Sequence, residues 1–429
     1  MRLDTRRIAL IVAGCLAPAL AQATNGYFSH GYGIKAKGMA GVGIALPQDA
    51  MAAATNPAGM AFVGNRMDLG LDIFMPRRES EITGNGGIPP FGIPSLDGNY
   101  SGDGASTFYV PEFGYNRVIN PNLSFGVTVY GNGGMNTRYE SSPFAMLGGS
   151  SPAGVDLIQL FVAPTLAYKI NPDHALGISL NLAWQKFAAD GLEPFGAFGF
   201  STAPDKLSNV GDDTSAGWGV RIGWTGRVSD TVTMGATYQT KTRMGSFDKY
   251  AGLYAQQGAF DIPANYGLGI AWQATPKLVL AADVQRIDYS SIPSIANPVA
   301  NLFNPDGSGR LGAESGAGFG WRDMTAYKIG AAYQYDEKLT LRAGFSTGRQ
   351  PIPSGETFFN ILAPGVQEEH LTLGATWQLG GGKELSVSYM HAFKTTVNGS
   401  NSIPPMMGGG EANLRMHENA VGVAFGWRM

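Results

Sequence analysis

From about Asn65 to the C-terminus, apolar residues alternate with polar residues or glycine at a period of two. Leu123, Phe125, Val127 and Val129 are separated by Ser124, Gly126 and Thr128, and Trp218, Val220, Ile222 and Trp224 by Gly219, Arg221 and Gly223. Leu339–Phe345, Leu385–Phe393 and Val421–Trp427 repeat the pattern. Each stretch predicts a β-strand with one oily face. A single such strand would suit a soluble sandwich equally well; recurrence along most of the chain is the informative part.

Turn spacing counts the strands. Short connections fall at Asn120-Pro121-Asn122, Asn171-Pro172-Asp173, Ser229-Asp230, Thr275-Pro276-Lys277, Asp336-Glu337 and Gly380-Gly381-Gly382. They alternate with long Gly/Pro/Ser/Asn-rich stretches near residues 77–105, 141–154, 190–213, 248–258, 292–320, 349–365 and 399–412. Tight turns at one end and long loops at the other are the plan of an outer-membrane barrel. The expected fold class is therefore all-β, a 14-stranded antiparallel transmembrane β-barrel spanning 66–429. Trp224, Trp272, Trp377 and Trp427, with Tyr168 and Tyr335, fall near strand ends on the short-turn side. Trp218 and Trp321 fall toward the other side, so two interfacial girdles are expected.

Composition narrows the alternatives. The chain has no 18-residue apolar run and a mean hydropathy of −0.05, which excludes a helical membrane protein. Its single Cys15 excludes a disulfide scaffold and a cysteine zinc site. A net charge of −3 gives no reason to expect a nucleic-acid partner. His30, His174, His370, His391 and His417 lack metal-ligand spacing, and no catalytic motif is readable, so neither enzyme activity, metal nor cofactor is expected. Arg2, Arg6 and Arg7, the apolar stretch Ile8–Leu16 and the small residues of Ala21-Gln22-Ala23 predict a signal peptide over 1–23. Export to the bacterial outer membrane follows. Val12-Ala13-Gly14-Cys15 resembles a lipoprotein box, which leaves lipidation of Cys15 as the alternative.

Residues 24–65 do not read as strands. They are rich in Gly and Ala, carry only Lys35, Lys37 and Asp49 as charges, and hold too few large side chains for a core of their own. Fourteen strands enclose more space than an eight-stranded barrel that side chains fill, so this segment is expected inside the lumen as a plug. A short helix is expected over Gln48–Thr55, stopped by Pro57 and its restriction of Asn56.

The runs Asn25–Gly33, Leu46–Ala50 and Ala54–Met60 resemble the amino-terminal hatch of the FadL family. That family comprises outer-membrane transporters for long-chain fatty acids, with TodX-type relatives that admit aromatic hydrocarbons. Asn56, Pro57 and Ala58 match the hatch motif. The resemblance implies a monomer set among outer-membrane lipid and lipopolysaccharide, with a long-chain fatty acid or another hydrophobic molecule as cargo. It implies binding in an apolar cleft, hatch rearrangement, and sideways exit at an inward kink of the third strand. Asn25, Gly26 and Phe28 are then the candidate pocket residues. Gly131, Gly133 and Gly134 are the candidate kink, because glycine weakens strand pairing and permits bulges. Phe144, Met146, Leu147, Phe195, Phe198 and Phe200 either line an outer cleft or pack the loops together. Gly422–Trp427 resembles the C-terminal assembly pattern of barrel proteins, although Arg428 and Met429 follow it. Other classes that fit a surface barrel are a non-specific porin or adhesin and an outer-membrane lipid hydrolase.

Overall fold

The computed structural model describes residues 25–429; the expected signal peptide and Cys15 lie outside the described residues. The wall consists of β1 (Arg66–Thr83), β2 (Phe108–Asn120), β3 (Leu123–Tyr139), β4 (Ala153–Lys169), β5 (His174–Asp190), β6 (Asp213–Arg227) and β7 (Val232–Gln239). It continues through β8 (Asn265–Thr275), β9 (Leu278–Ile287), β10 (Met324–Gln334), β11 (Leu339–Thr347), β12 (Glu369–Gly380), β13 (Lys383–Val397) and β14 (Glu411–Arg428). Each strand pairs antiparallel with its sequence neighbours, and β14 pairs with β1 from Arg66↔Arg428 to Thr83↔Glu411. That last pairing closes a 14-stranded barrel and removes the edges an open sheet would expose.

The period-two pattern is turned inside out relative to a soluble sandwich. On β5, Leu176, Ile178, Leu180 and Leu182 are 41–51% exposed, whereas Ser179, Asn181 and Gln185 are buried. The oily face looks outward to lipid and the polar face lines the interior. Trp218, Trp272, Trp377, Tyr168 and Tyr335 stand on the outer surface. Trp321 departs from the girdle expectation: it precedes β10, is buried, and donates its indole N–H to Asn360. It belongs to a loop and packs in the buried cluster with Tyr27, Tyr289 and Phe319, not at a strand end.

The six short turns fall where expected. Two loop boundaries shift. β1 continues to Thr83, past residue 77, because β14 is long enough to pair with it throughout. The loop expected near 248–258 spans 240–264, because β7 ends at Gln239 and the chain leaves the wall through the short pairing of Arg243–Met244 with β6.

Phe62 and Asn65 are exposed, whereas residues 25–61 are largely buried and bonded to inward-facing side chains of strands on opposite sides of the wall. They form helix α1 (Ile34–Lys37) and two 3₁₀ segments, Ala50–Ala54 and Pro57–Ala61. The helix expected over Gln48–Thr55 is thus shorter and tighter. The Asp49 side chain accepts from the Met51 N–H to start it, and Asn56 leaves helical geometry to cap the next segment.

Candidate transport site

A plug with so little secondary structure leaves many backbone N–H groups without partners of its own, and buried amides must be satisfied. Here the wall satisfies them. Glu112 accepts from the Gly33 and Ile34 N–H groups at 3.1 and 2.9 Å. Asp283 accepts from Gly43 and Ile44 at 2.8 and 3.0 Å, Asp68 from Ala50 at 2.9 Å, and Thr372 from Ala40 at 2.8 Å. Ion pairs fix α1. Lys35 pairs with Glu384, which also holds Arg66, and Lys37 lies 2.8 Å from Asp72 and 3.8 Å from Glu112. Burial opposes the Lys37 charge, yet Asp72 and Glu112 carry its pKa above the ordinary lysine value.

Above α1 the first described residues meet the third strand. β3 pairs with β2 only as far as Phe113↔Val129, although β2 runs on to Phe108. Its remainder, Tyr130–Tyr139, parts from β2 and pairs with β4, with a bulge between Gly131 and Gly133, and near its end Arg138 bridges to Asp103 in the loop before β2. The N-terminal arm occupies the vacated inner side. The Gly134 N–H donates to the Tyr27 carbonyl at 3.0 Å, the Ser29 N–H to the Asn132 carbonyl at 3.0 Å, and Phe28 bridges to Gly133. A Cβ at Gly133 would collide with the Tyr27 carbonyl. Glycine is therefore the residue that lets two backbones meet here.

Aromatic rings surround this junction. Tyr27 lies 5.3 Å from Phe28, 5.4 Å from Tyr289 and 6.0 Å from Trp321, centroid to centroid. The Tyr289 hydroxyl donates to the Asn25 carbonyl and accepts from the Tyr27 N–H. Gly26 has φ +67°, and a Cβ there would strike Tyr289 and Trp321. Asn25, Gly26 and Phe28 are thus brought together at one end of the interrupted strand, with Gly131, Gly133 and Gly134 beside them.

Small cavities border the arm. One of about 20 Å³ is lined by Ser29, Tyr32, Arg221, Asp283, Gln285 and Lys328. A second of about 20 Å³ lies among Gly26, Phe74, Arg78, Phe108, Gly134 and Trp321. A third of about 40 Å³ sits in the loop cap among Leu192, Phe195, Tyr254, Phe319, Phe359 and Leu362. A cavity that binds benzene measures roughly 150 Å³, so none of these three admits a ring in this conformation. In the first cavity, Arg221 donates to the Thr55 carbonyl and to Gln239, and Lys328 to the His30 carbonyl and Gln285. Among the described residues neither cation makes an ion pair within 4 Å, unlike Lys35, Lys37 and Arg66, although Asp283 faces Lys328 across the strand pair. Burial, then Lys37 and Lys328, push the His30 imidazole down to about 3, so it adds no charge.

Residues 11–429 match the family described as Outer membrane protein transport protein (OMPP1/FadL/TodX). The chain belongs to this family. Among solved structures it is similar to the P. putida toluene transporter TodX, at 19% identity and TM-score 0.69, covering 93% of this chain and 99% of that one. It is similar to a Pseudomonas aeruginosa FadL homologue at 18% identity and TM-score 0.68, covering 96% and 100%. The Ralstonia pickettii toluene transporter TbuX gives 18% and 0.63, covering 93% and 99%. Among curated protein sequences none matches. Membership of the FadL/TodX family places the chain in the outer membrane, among transporters of hydrophobic substrates.

Within that family frame, the Asn56-Pro57-Ala58 triplet lies at the periplasmic end, against β5 and β6. Asn56 Nδ2 donates to the Ile44 carbonyl, the Trp224 carbonyl and Thr225, while its Oδ1 accepts from the Ala58 N–H. Replacing Asn56 with Ala strands two buried carbonyls and should cost about 1–3 kcal/mol locally. Limited proteolysis of the folded barrel is expected to cut within Ala50–Ala61 in N56A and to spare it in the parent. The outer apolar loop residues divide. Phe144 and Phe195 pack edge-on at 5.4 Å with Phe358 and Phe359 against them, and Leu147 is buried, whereas Met146 and Phe198 are exposed. Among the described residues no group of His, Cys, Asp and Glu could hold a metal ion. The sequence reading did not anticipate Glu384, Arg66, Asp72, Asp283, Arg221 or Lys328. Charged residues at inward-facing positions of otherwise oily strands were the available signal, but an aqueous pore would carry the same signal.

Proposed function

We propose that the chain takes up long-chain fatty acids or similar carboxylate-bearing hydrophobic molecules. The cargo binds beside the N-terminal arm, displaces it, and leaves sideways into the membrane where β3 parts from β2. One observation carries the reading. Arg221 and Lys328 line one cavity, are buried, and among the described residues make no ion pair within 4 Å, although Asp283, engaged by the Gly43 and Ile44 N–H groups, faces Lys328 across the strand pair and lines the same cavity. A carboxylate would satisfy both through charge-assisted bonds, and its alkyl chain gains about 0.8 kcal/mol per CH₂ by remaining among apolar side chains. Lateral exit keeps that chain out of water throughout. The filled lumen speaks against a steady aqueous pore.

Charged hydrogen bonds are worth about 1.5–3 kcal/mol each. Arg221→Gln and Lys328→Met are therefore each expected to weaken oleate binding roughly ten- to hundredfold, measured by displacement of a fluorescent fatty acid from the detergent-solubilised protein. Unchanged oleate affinity in both variants overturns the carboxylate assignment.

The second reading is a neutral aromatic cargo. It is favoured by the ring cluster around Tyr27 and by the fold shared with TodX and TbuX, whose structures are titled as toluene transporters. It predicts toluene uptake into proteoliposomes that is indifferent to Arg221→Gln and Lys328→Met.

A further inference from the structure

β14 carries a buried carboxylate that makes no hydrogen bond among the described residues. Glu418 lies on the inner face of the wall between Met416 and Ala420, with no exposure to solvent. Among the described residues neither of its carboxylate oxygens has a hydrogen-bond partner. Its register partners are Pro76 on β1 and Ala392 on β13, neither of which has a side-chain donor. Phe74, Phe108, Met390, Ala392 and Ala420 form an apolar cluster around this part of the wall. Arg78 stands two residues beyond Pro76, but its guanidinium is engaged by the carbonyls of Ala105 and Asn136 and lies 3.7 Å from Asp103. Pro76, the register partner of Glu418, and Met416, the next inward-facing residue on β14, line the cavity that opens toward Gly26, Gly134 and Trp321. A carboxyl group left in such surroundings is costly unless a donor reaches it. Arg78 attracts the carboxylate through space and its Nε is also unpartnered, but no hydrogen bond joins the two, and the adjoining cavity lies beside the interrupted strand.

We propose that Glu418 is a second polar subsite of the transport path, which accepts a hydrogen bond from a hydroxyl carried by the cargo. The site thereby favours hydroxylated hydrophobic molecules over their bare hydrocarbon counterparts. This inference rests on the transport reading above but not on Arg221 or Lys328. Loss of a hydroxyl leaves the buried acceptor unpaired, which is the situation in which a polar site discriminates most strongly.

The test compares toluene with para-cresol, the same ring with one added hydroxyl, on the full-length protein in detergent micelles, with oleate measured in parallel. The parent is expected to bind para-cresol about tenfold more tightly than toluene, a preference of about 1.4 kcal/mol. Glu418→Leu should bring the ratio to about one, and Glu418→Gln, which keeps an acceptor of the same shape, should retain part of it. Because Glu418→Leu could fail to fold, infrared difference spectra of the parent provide a second measurement. Para-cresol should shift a carboxyl band that is absent in Glu418→Gln, and toluene should leave it in place. An unchanged ratio in folded Glu418→Leu, or a Glu418 band that para-cresol does not move, overturns the inference. Oleate binding with neither aromatic bound overturns it while the transport reading stands. Failure of all three probes to bind is the failure of the transport reading itself.

Discussion

Deletion of Gly131–Gly133 is expected to reduce uptake of hydrophobic cargo to background while leaving a folded, heat-modifiable barrel. The argument starts from register. Gly131 faces Leu160 of β4 and Gly133 faces Gln159, so one residue of β3 is surplus across the bulge. Side chains alternate faces at a period of two, and a one-residue slip would turn the rest of the strand inside out. Removing three residues deletes the surplus Asn132 together with two in-register residues, Gly131 and Gly133. Tyr130 then meets Gly134 directly, and Thr137 and Tyr139 keep their inward orientation. Removing four would flip them. The straightened strand can continue its pairing with the length of β2 that β3 leaves unused, from Glu112 to Phe108, and so close the wall where exit is proposed. Uptake of oleate or toluene into cells carrying the deletion, with electrophoretic heat-modifiability as the folding control, is the measurement. Uptake at the parental rate would sink the lateral-exit proposal.

The second large effect is expected at Glu384. This carboxylate holds Lys35 of α1 and Arg66 of β1 and receives the Gln378 side-chain amide at 2.9 Å. Lys35 and Arg66 are both buried. Removing the shared anion leaves Lys35 with no ion pair within 4 Å among the described residues and Arg66 bonded to Asp68, with Asp49 the remaining carboxylate near both. Breaking a buried pair by deleting one partner typically costs about 3–5 kcal/mol, because an uncompensated charge remains inside. Glu384→Ala should therefore loosen α1 while the strand ladders, which depend on backbone bonds, persist. Hydrogen exchange of the folded barrel is expected to accelerate in residues 33–50 by at least about a hundredfold and to change little in β5 or β12. A steady ion conductance in planar bilayers, absent from the parent, should accompany it. Exchange at the parental rate would show that the plug is held by its backbone contacts alone.

These two sites differ in how far the sequence reveals them. The glycines of β3 are legible as an interruption, because three glycines within four residues contradict an otherwise regular alternation. Glu384 is not. In the sequence it is one polar residue beside the Gly380-Gly381-Gly382 turn, where charge is ordinary. Its partner Lys35 lies 349 residues away, a separation that no local pattern spans. The same holds for Arg221 and Lys328, which belong to strands on different parts of the wall and meet only because the barrel closes.

The sequence by itself determined the strand count, the direction of the oily face once membrane residence was inferred, and the placement of a small-residue segment ahead of the barrel. These follow from local rules: a period of two, turn residues at fixed spacing, and side chains too small to form a core. Only the tertiary structure decided that the plug is held by carboxylates of the wall, that Trp321 belongs to the loop cap and not to a girdle, and that Glu418 is left without a donor. The physical reason is common to all three. Each depends on which inward-facing side chains share the interior, and closure of the barrel sets that by bringing together residues hundreds of positions apart.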